Sequence, residues 1–220
     1  MSTALDIVVL GREGLLEFTC RQIVQVLPDG RDQHVRSMID RCLNEALKRT
    51  QVCANAIKAW TPNQFNYLHS SQYCHYLYFL ANTIWRETGD TEVPTKLFLL
   101  NKMLNGLDLF YEINLPDIFL IGHSTGIVFA KATYSNYLMV HQNVTVGKNH
   151  GVAPVLEEGV LLYPNAAVIG ACHIGKGAVI AQGVSVINQD IAANSLVFGA
   201  GQALIQKPAK RRIIEDFFRL

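Results

Sequence analysis

No apolar run in the sequence approaches the roughly 18 residues that a membrane-spanning helix needs, so no helical span is expected. The segment LDIVVL at residues 5–10 is too short for the core of a secretory signal and runs at once into Gly11, Arg12 and Glu13. An excess of one charge is also missing: 19 lysines and arginines stand against 18 aspartates and glutamates, a net charge of +1. That balance gives no electrostatic case for a nucleic-acid or membrane-surface partner. Paired cysteine motifs are absent too. Cys20, Cys42, Cys53, Cys74 and Cys172 are odd in number, scattered and form no CxxC. This points to buried thiols in a reducing, cytoplasmic compartment, not to a disulfide framework or a zinc site. The 220 residues, half of them hydrophobic, suffice for one sizeable core or two modest ones.

What the chain does have is a six-residue beat that starts near Pro116. It is clearest in LYPNAA, VIGACH, IGKGAV and IAQGVS, which open at Leu162, Val168, Ile174 and Ile180. Each unit opens on an aliphatic residue and carries a small or β-branched residue fifth: Ala166, Cys172, Ala178, Val184. The frame extends back through Val128, Tyr134, Val140 and Val146, with Ala132, Leu138 and Val144 in fifth place, and resumes at Leu156 after four extra residues. So short a period predicts a parallel β-helix. Three hexapeptides make one triangular coil, with the opening aliphatic residue inside and the fifth at a corner. Coils stack about 4.8 Å apart, and residues eighteen apart share a column.

Residues before about 110 lack the beat and have helical texture. Helices are predicted from Glu13 to Val26, ended by Pro28-Asp29-Gly30; from about Arg31 as far as Trp60; from Ser70 to about Arg86; and from about Thr95 to Leu107. Together they would cap one end of the prism, where an open coil edge needs cover. The fold expected is thus α+β: a helical domain over residues 1–112, a β-helix over 113–206 and a basic tail over 207–220. Residues 213–220 suggest a short amphipathic helix folded back over the last coil. The run KPAKRR at 207–212 reads as a solvated capping segment or, through Lys207, as a phosphate contact for a nucleotide-bearing cofactor.

Chemistry on a smooth prism must sit on outward positions. His123, in GHSTG, and His141 are both second residues of their hexapeptides and eighteen apart, so they are expected to stack on one face. His150 falls in the stretch that interrupts the beat, where insertions in solenoids often carry function. The three are expected to converge beside one groove. His34, His69, His75 and His173 lack such company and read as structural or exposed. A three-histidine zinc site of the β-helical carbonic anhydrase kind needs two histidines five apart; Val128 and Val146 stand at those places, and no metal is implied.

His123-Ser124-Thr125-Gly126-Ile127-Val128 and Gln142-Asn143-Val144-Thr145-Val146-Gly147 are similar to the DHATGIVV and QSVTLGG segments of the serine acetyltransferase family of hexapeptide-repeat acyltransferases, which the sequence resembles across roughly residues 67–204. Residues 158–170 follow that family's EGVMIGAGAKILG. The resemblance implies a left-handed β-helix, a homotrimer with active sites between subunits, and acetyl-CoA as co-substrate; it leaves a higher assembly open. It implies that His123 is the general base, taking the proton of an acceptor hydroxyl that attacks the thioester directly. An imidazole titrating near pH 6.5 suits that task. The orienting carboxylate of the family sits in VDIHP. Residues 111–116 (YEINLP) are a variant of it, which makes Glu112 the candidate, with Asp117 the other nearby carboxylate. The resemblance carries Gly147, Ala181 and Gln182 onto positions near the pantetheine arm, while Pro164 cannot donate an amide there.

Two departures bear on the acceptor. Gly122 stands where the family has an aspartate that holds serine, and Val152-Ala153 stands where it has the Arg-His pair of RHPKI, aligned with residues 152–156. His150 or His141 would have to substitute. The expectation is a CoA-dependent O-acetyltransferase with L-serine as first acceptor. A sugar or surface-polysaccharide acceptor and a non-catalytic assembly scaffold are the alternatives.

Overall fold

The computed structural model describes residues 5–200 and 203–220. Four helices lead the chain: α1 (Gly11–Val26), α2 (Asp32–Ala56), α3 (Ser70–Thr88) and α4 (Glu92–Asn105). They match the predicted helices to within a few residues. Two short strands, β1 (Asp6–Ile7) and β2 (Gln64–Phe65), pair in parallel beside them. α3 is buried on every side from residue 72 to residue 84, the pattern of a helix at the centre of a core. Its polar groups reach the chain that leads into the solenoid. The Tyr78 hydroxyl donates to the Ile113 carbonyl at 2.7 Å and accepts the Leu115 amide at 2.9 Å. Asn82 donates to the Tyr111 carbonyl at 2.8 Å. Gly89 and Gly106, both at positive φ, end α3 and α4.

The next segment winds through three faces in rotation, about four turns in all. The first face holds β3 (Phe119–Gly122), β6 (Leu138–His141), β9 (Leu161–Leu162), β12 (Val179–Ile180) and β14 (Ser195–Ala200). The second holds β4 (Val128–Phe129), β7 (Thr145–Gly147), β10 (Ala167–Ile169) and β13 (Ser185–Ile187). The third holds β5 (Thr133–Tyr134), β8 (Val155–Leu156) and β11 (His173–Ile174), extended by a bridge from Ile174 to Ile191. Pairing within each stack is parallel. β15 (Ala203–Pro208) then turns back antiparallel on β14.

The beat sets the core. Val140, Leu162, Ile180, Val146, Val168, Leu156 and Ile174 are fully buried, as are the corner residues Val144, Ala166 and Ala178. The first coil departs from the frame. Phe129, not Val128, pairs with the inward Val146, and Val128 is 41% exposed opposite Thr145. The cause is the corner before it. Gly122 pairs with His141 and Val128 with Thr145, so GHSTG spends two more residues on that turn than HQN does on the next.

One outward column on the first face, Leu120, Met139, Leu161 and Val179, is also buried. The end of α2 and the C-terminal tail cover it, joining the same apolar cluster through Cys53, Ile57, Ile214 and Phe218. The tail therefore differs from expectation. It makes a single 3-10 turn, Ile213–Asp216, and runs back to the first coil instead of lying over the last. Phe218 bridges to Ile57 and meets Tyr137 edge-on at 5.5 Å. The Arg219 guanidinium donates to the carbonyls of Asn55, Ile57, Lys58 and Trp60. The last carbonyls of a helix have no intrahelical partner, and Arg219 supplies one. An uncovered apolar column is the driving force for the return.

Among the described residues no helix is long and apolar enough to cross a membrane. All five cysteines are free and buried. Burial pushes the Cys53 and Cys74 thiols up to about 12, so neither is a thiolate nucleophile near neutrality.

The joint between helices and solenoid carries a titratable group. His75, fully buried on α3, stacks on Phe119 at 4.6 Å, with Nδ1 2.5 Å from the Ser71 carbonyl oxygen and Nε2 3.3 Å from that of Phe119. Burial lowers its pKa to about 4. In this window the unfolded chain binds the proton more readily, so stability present above pH 6.5 is lost as pH falls towards 4. The expected loss from this one group is about 3 kcal/mol. Urea titrations at pH 7 and pH 4.5 measure it, and His75→Gln should flatten the difference.

Candidate active site

The bulged corner between the first and second faces places His123. Gly106 and Asp108, just after α4, pin it from outside: Gly126 donates to the Gly106 carbonyl at 2.9 Å, and Asp108 donates to that of Ile127 at 2.8 Å. Asn143, one coil on, donates to the Thr125 carbonyl at 2.9 Å. Gly126 has φ +74°, and a Cβ there would run into the Asn143 side-chain oxygen, so this turn admits only glycine. His123 has φ +58° and an exposed ring. The left-handed backbone is the turn geometry of this solenoid, shared by Asn143, Asn165, Asn188 and Asn194; at this corner it is a histidine, not the better-suited asparagine, that adopts it. Among the described residues no carboxylate is bonded to the His123 ring.

His123 does not stack on His141, because the bulge shifts the register by one. Gly122 faces His141 instead. A Cβ on Gly122 would lie 3.3 Å from His141 Nδ1 and 2.8 Å from the Met139 methyl carbon. His141 lies flat on Tyr163, with ring centres 5.3 Å apart and planes at 14°, and Phe217 of the tail meets it edge-on at 6.1 Å. Burial, and then the charge of His123, lower its pKa, which keeps this ring neutral near pH 7. His141 Nε2 and Gln142 Oε1 are sealed from solvent without a partner among the described residues.

Continuing the register, Gly122, His141, Tyr163 and Ala181 form one column along this corner. Pro164 and Gln182 stand beside it. Sequence reasoning missed Tyr163 and Phe217. Tyr163 was signalled, being second in its hexapeptide as His141 is. Phe217 was not, since nothing local says where a tail returns.

The other candidates lie elsewhere in the protomer. Gly147 ends β7, at the opposite edge of the second face. His150 is exposed in the turn beyond it, with φ +47°. Glu112 is ion-paired with Lys131, which follows β4 on that same edge. One protomer therefore joins His123 with His141 but leaves Glu112 and His150 across the face. Lys207 is exposed on β15 opposite Leu196. Among the described residues no three histidine, cysteine or acidic side chains converge as metal ligands would.

No protein-family profile matches the chain. A Schizosaccharomyces pombe protein bearing a provisional serine acetyltransferase name is 28% identical over 169 residues, 74% of this chain and 59% of that one. Serine acetyltransferase 2 of Arabidopsis thaliana is 29% identical over 155 residues, 64% of this chain and 47% of that one. The chain thus spans about half the length of these curated relatives. The Brucella abortus serine acetyltransferase structure superposes with a TM-score of 0.70 at 19% identity, covering 90% of this chain and 84% of that one. The Neisseria gonorrhoeae serine acetyltransferase in complex with serine gives 0.68 at 19%, covering 86% and 81%. The chain is similar to serine acetyltransferases and shares their fold. That fold is a helical N-terminal part followed by a parallel β-solenoid. It matches the α+β architecture expected from the hexapeptide beat.

Proposed function

We propose that this protein is an acetyl-CoA-dependent O-acetyltransferase, with L-serine as its first acceptor. The observation that carries the reading is His123 itself: an exposed imidazole on a left-handed, glycine-buttressed corner, in a chain whose curated relatives bear the serine acetyltransferase name. In the proposed reaction the His123 imidazole takes the proton of the acceptor hydroxyl. The oxygen attacks the thioester carbonyl, the carbon–sulfur bond breaks, and the CoA sulfur leaves with the proton that His123 returns. No covalent acyl-enzyme forms. The arm of CoA follows the corner column past Ala181 and Gln182, and Lys207 lies toward its phosphates.

The groove needs a second wall, which a homotrimer supplies. Glu112, Gly147 and His150 share the edge opposite His123, so they join a base only across a subunit boundary. A cytoplasmic location fits five free, buried cysteines. Light scattering is expected to give three times the 24.5 kDa chain mass, and calorimetry one CoA site per chain. A monomer that does not bind CoA would remove both the groove and the reading.

A further inference from the structure

His141 is half-buried, and neither of its ring nitrogens has a hydrogen-bond partner among the described residues. Of its two ring nitrogens only Nε2 is sealed from solvent, and it has no partner there. Around it stand the Tyr163 face and the Phe217 edge. A buried N–H without an acceptor is rarer than a buried lone pair without a donor. The surroundings of Nε2 therefore favour the tautomer with the proton on Nδ1. Nδ1 makes no hydrogen bond among the described residues and lies 3.3 Å from where a Gly122 Cβ would be. Gly122 is the residue next to the proposed base. The absence of a side chain at Gly122 leaves Nδ1 uncovered on the side of the proposed base, with the Met139 methyl carbon bordering the gap. Stacking on Tyr163 fixes the ring plane. Neither His123 nor His141 is bonded to a carboxylate among the described residues, so an incoming anion meets no bonded acid at either ring.

We infer that His141 is a specificity-determining residue whose Nδ1–H receives a carboxylate of the acceptor beside His123. The acceptor class is a small hydroxy acid, amino-substituted or not. The inference rests on the transferase reading above and adds to it the group that reads the acceptor. A hydrogen bond from an N–H to a carboxylate is of the stronger, charge-assisted kind.

The test compares two acceptors that differ only in the carboxylate, L-serine and ethanolamine, in thiol release from acetyl-CoA by the full chain. His141→Leu is expected to lower kcat/KM for L-serine by roughly 10- to 100-fold, mainly through KM, and that for ethanolamine by less than about threefold. His141→Gln, which keeps an N–H donor, should recover part of the loss. Equal losses for both acceptors, or none, would overturn the inference and leave the transferase reading intact. So would turnover of a carboxylate-free sugar with none of serine. Silence of the unsubstituted protein with every acceptor would instead overturn the transferase reading, and this inference with it.

Discussion

His123→Ala is expected to lower kcat/KM for acetyl transfer by about 10²–10⁴, the usual worth of a general base. The fall should appear in kcat, because the substitution removes the proton acceptor and leaves the corner column of Gly122, His141, Tyr163 and Ala181 in place. The backbone complicates a single variant, since alanine at φ +58° is strained. His123→Asn separates the two effects. Asparagine tolerates the left-handed region but cannot act as a base, so it should be as inactive as alanine while melting close to the unsubstituted protein. Steady-state kinetics beside thermal unfolding make the comparison. An asparagine variant within threefold of full activity would exclude His123 as the base.

Phe218→Ala is expected to cost about 3–5 kcal/mol, as removal of a fully buried phenylalanine does. Phe218 has no exposed surface, bridges to Ile57 at the end of α2 and packs on Tyr137 of the first coil. It ties three parts of the chain that are distant in sequence. For a chain of this size the loss lowers Tm by roughly 6–20 °C at fixed protein concentration. Its neighbour Leu220 is 57% exposed, and Leu220→Ala should stay within about 0.5 kcal/mol. Scanning calorimetry of the two variants side by side reads the contrast. Because Phe217 touches His141, the Phe218 variant should also weaken the acceptor site. A tail that only decorates the surface would give two equal, small effects.

The solenoid was legible because its period is an inside–outside code. Val140, Leu162 and Ile180 are inward for the same reason that they open hexapeptides, and the fifth residues Leu138, Val144, Ala166, Cys172, Ala178 and Val184 are buried at the corners, with Ala132 of the first coil partly so. The code failed at GHSTG. Two extra residues there move Phe129 inward and turn Val128 out. A bulge adds backbone without adding an apolar signal, so periodicity alone extends the frame straight through it. The same bulge lifts His123 out of register with His141, and it is where the candidate base sits. The partners of these rings were less legible. Glu112 has the right sequence neighbourhood, but Lys131 is bonded to it, and pairing between side chains nineteen residues apart leaves no local trace. The return of the tail depends on an apolar column assembled from four coils, which no window of sequence contains.

The measurement that bears most directly on the central claim is thiol release from acetyl-CoA by the purified protein, with L-serine beside a panel of sugars and hydroxy acids. The account predicts release that saturates in both substrates, forms one O-acetyl ester per thiol and is highest for an acceptor that carries a carboxylate. No release with any acceptor, together with no CoA binding by calorimetry, would contradict it and leave the solenoid as a scaffold.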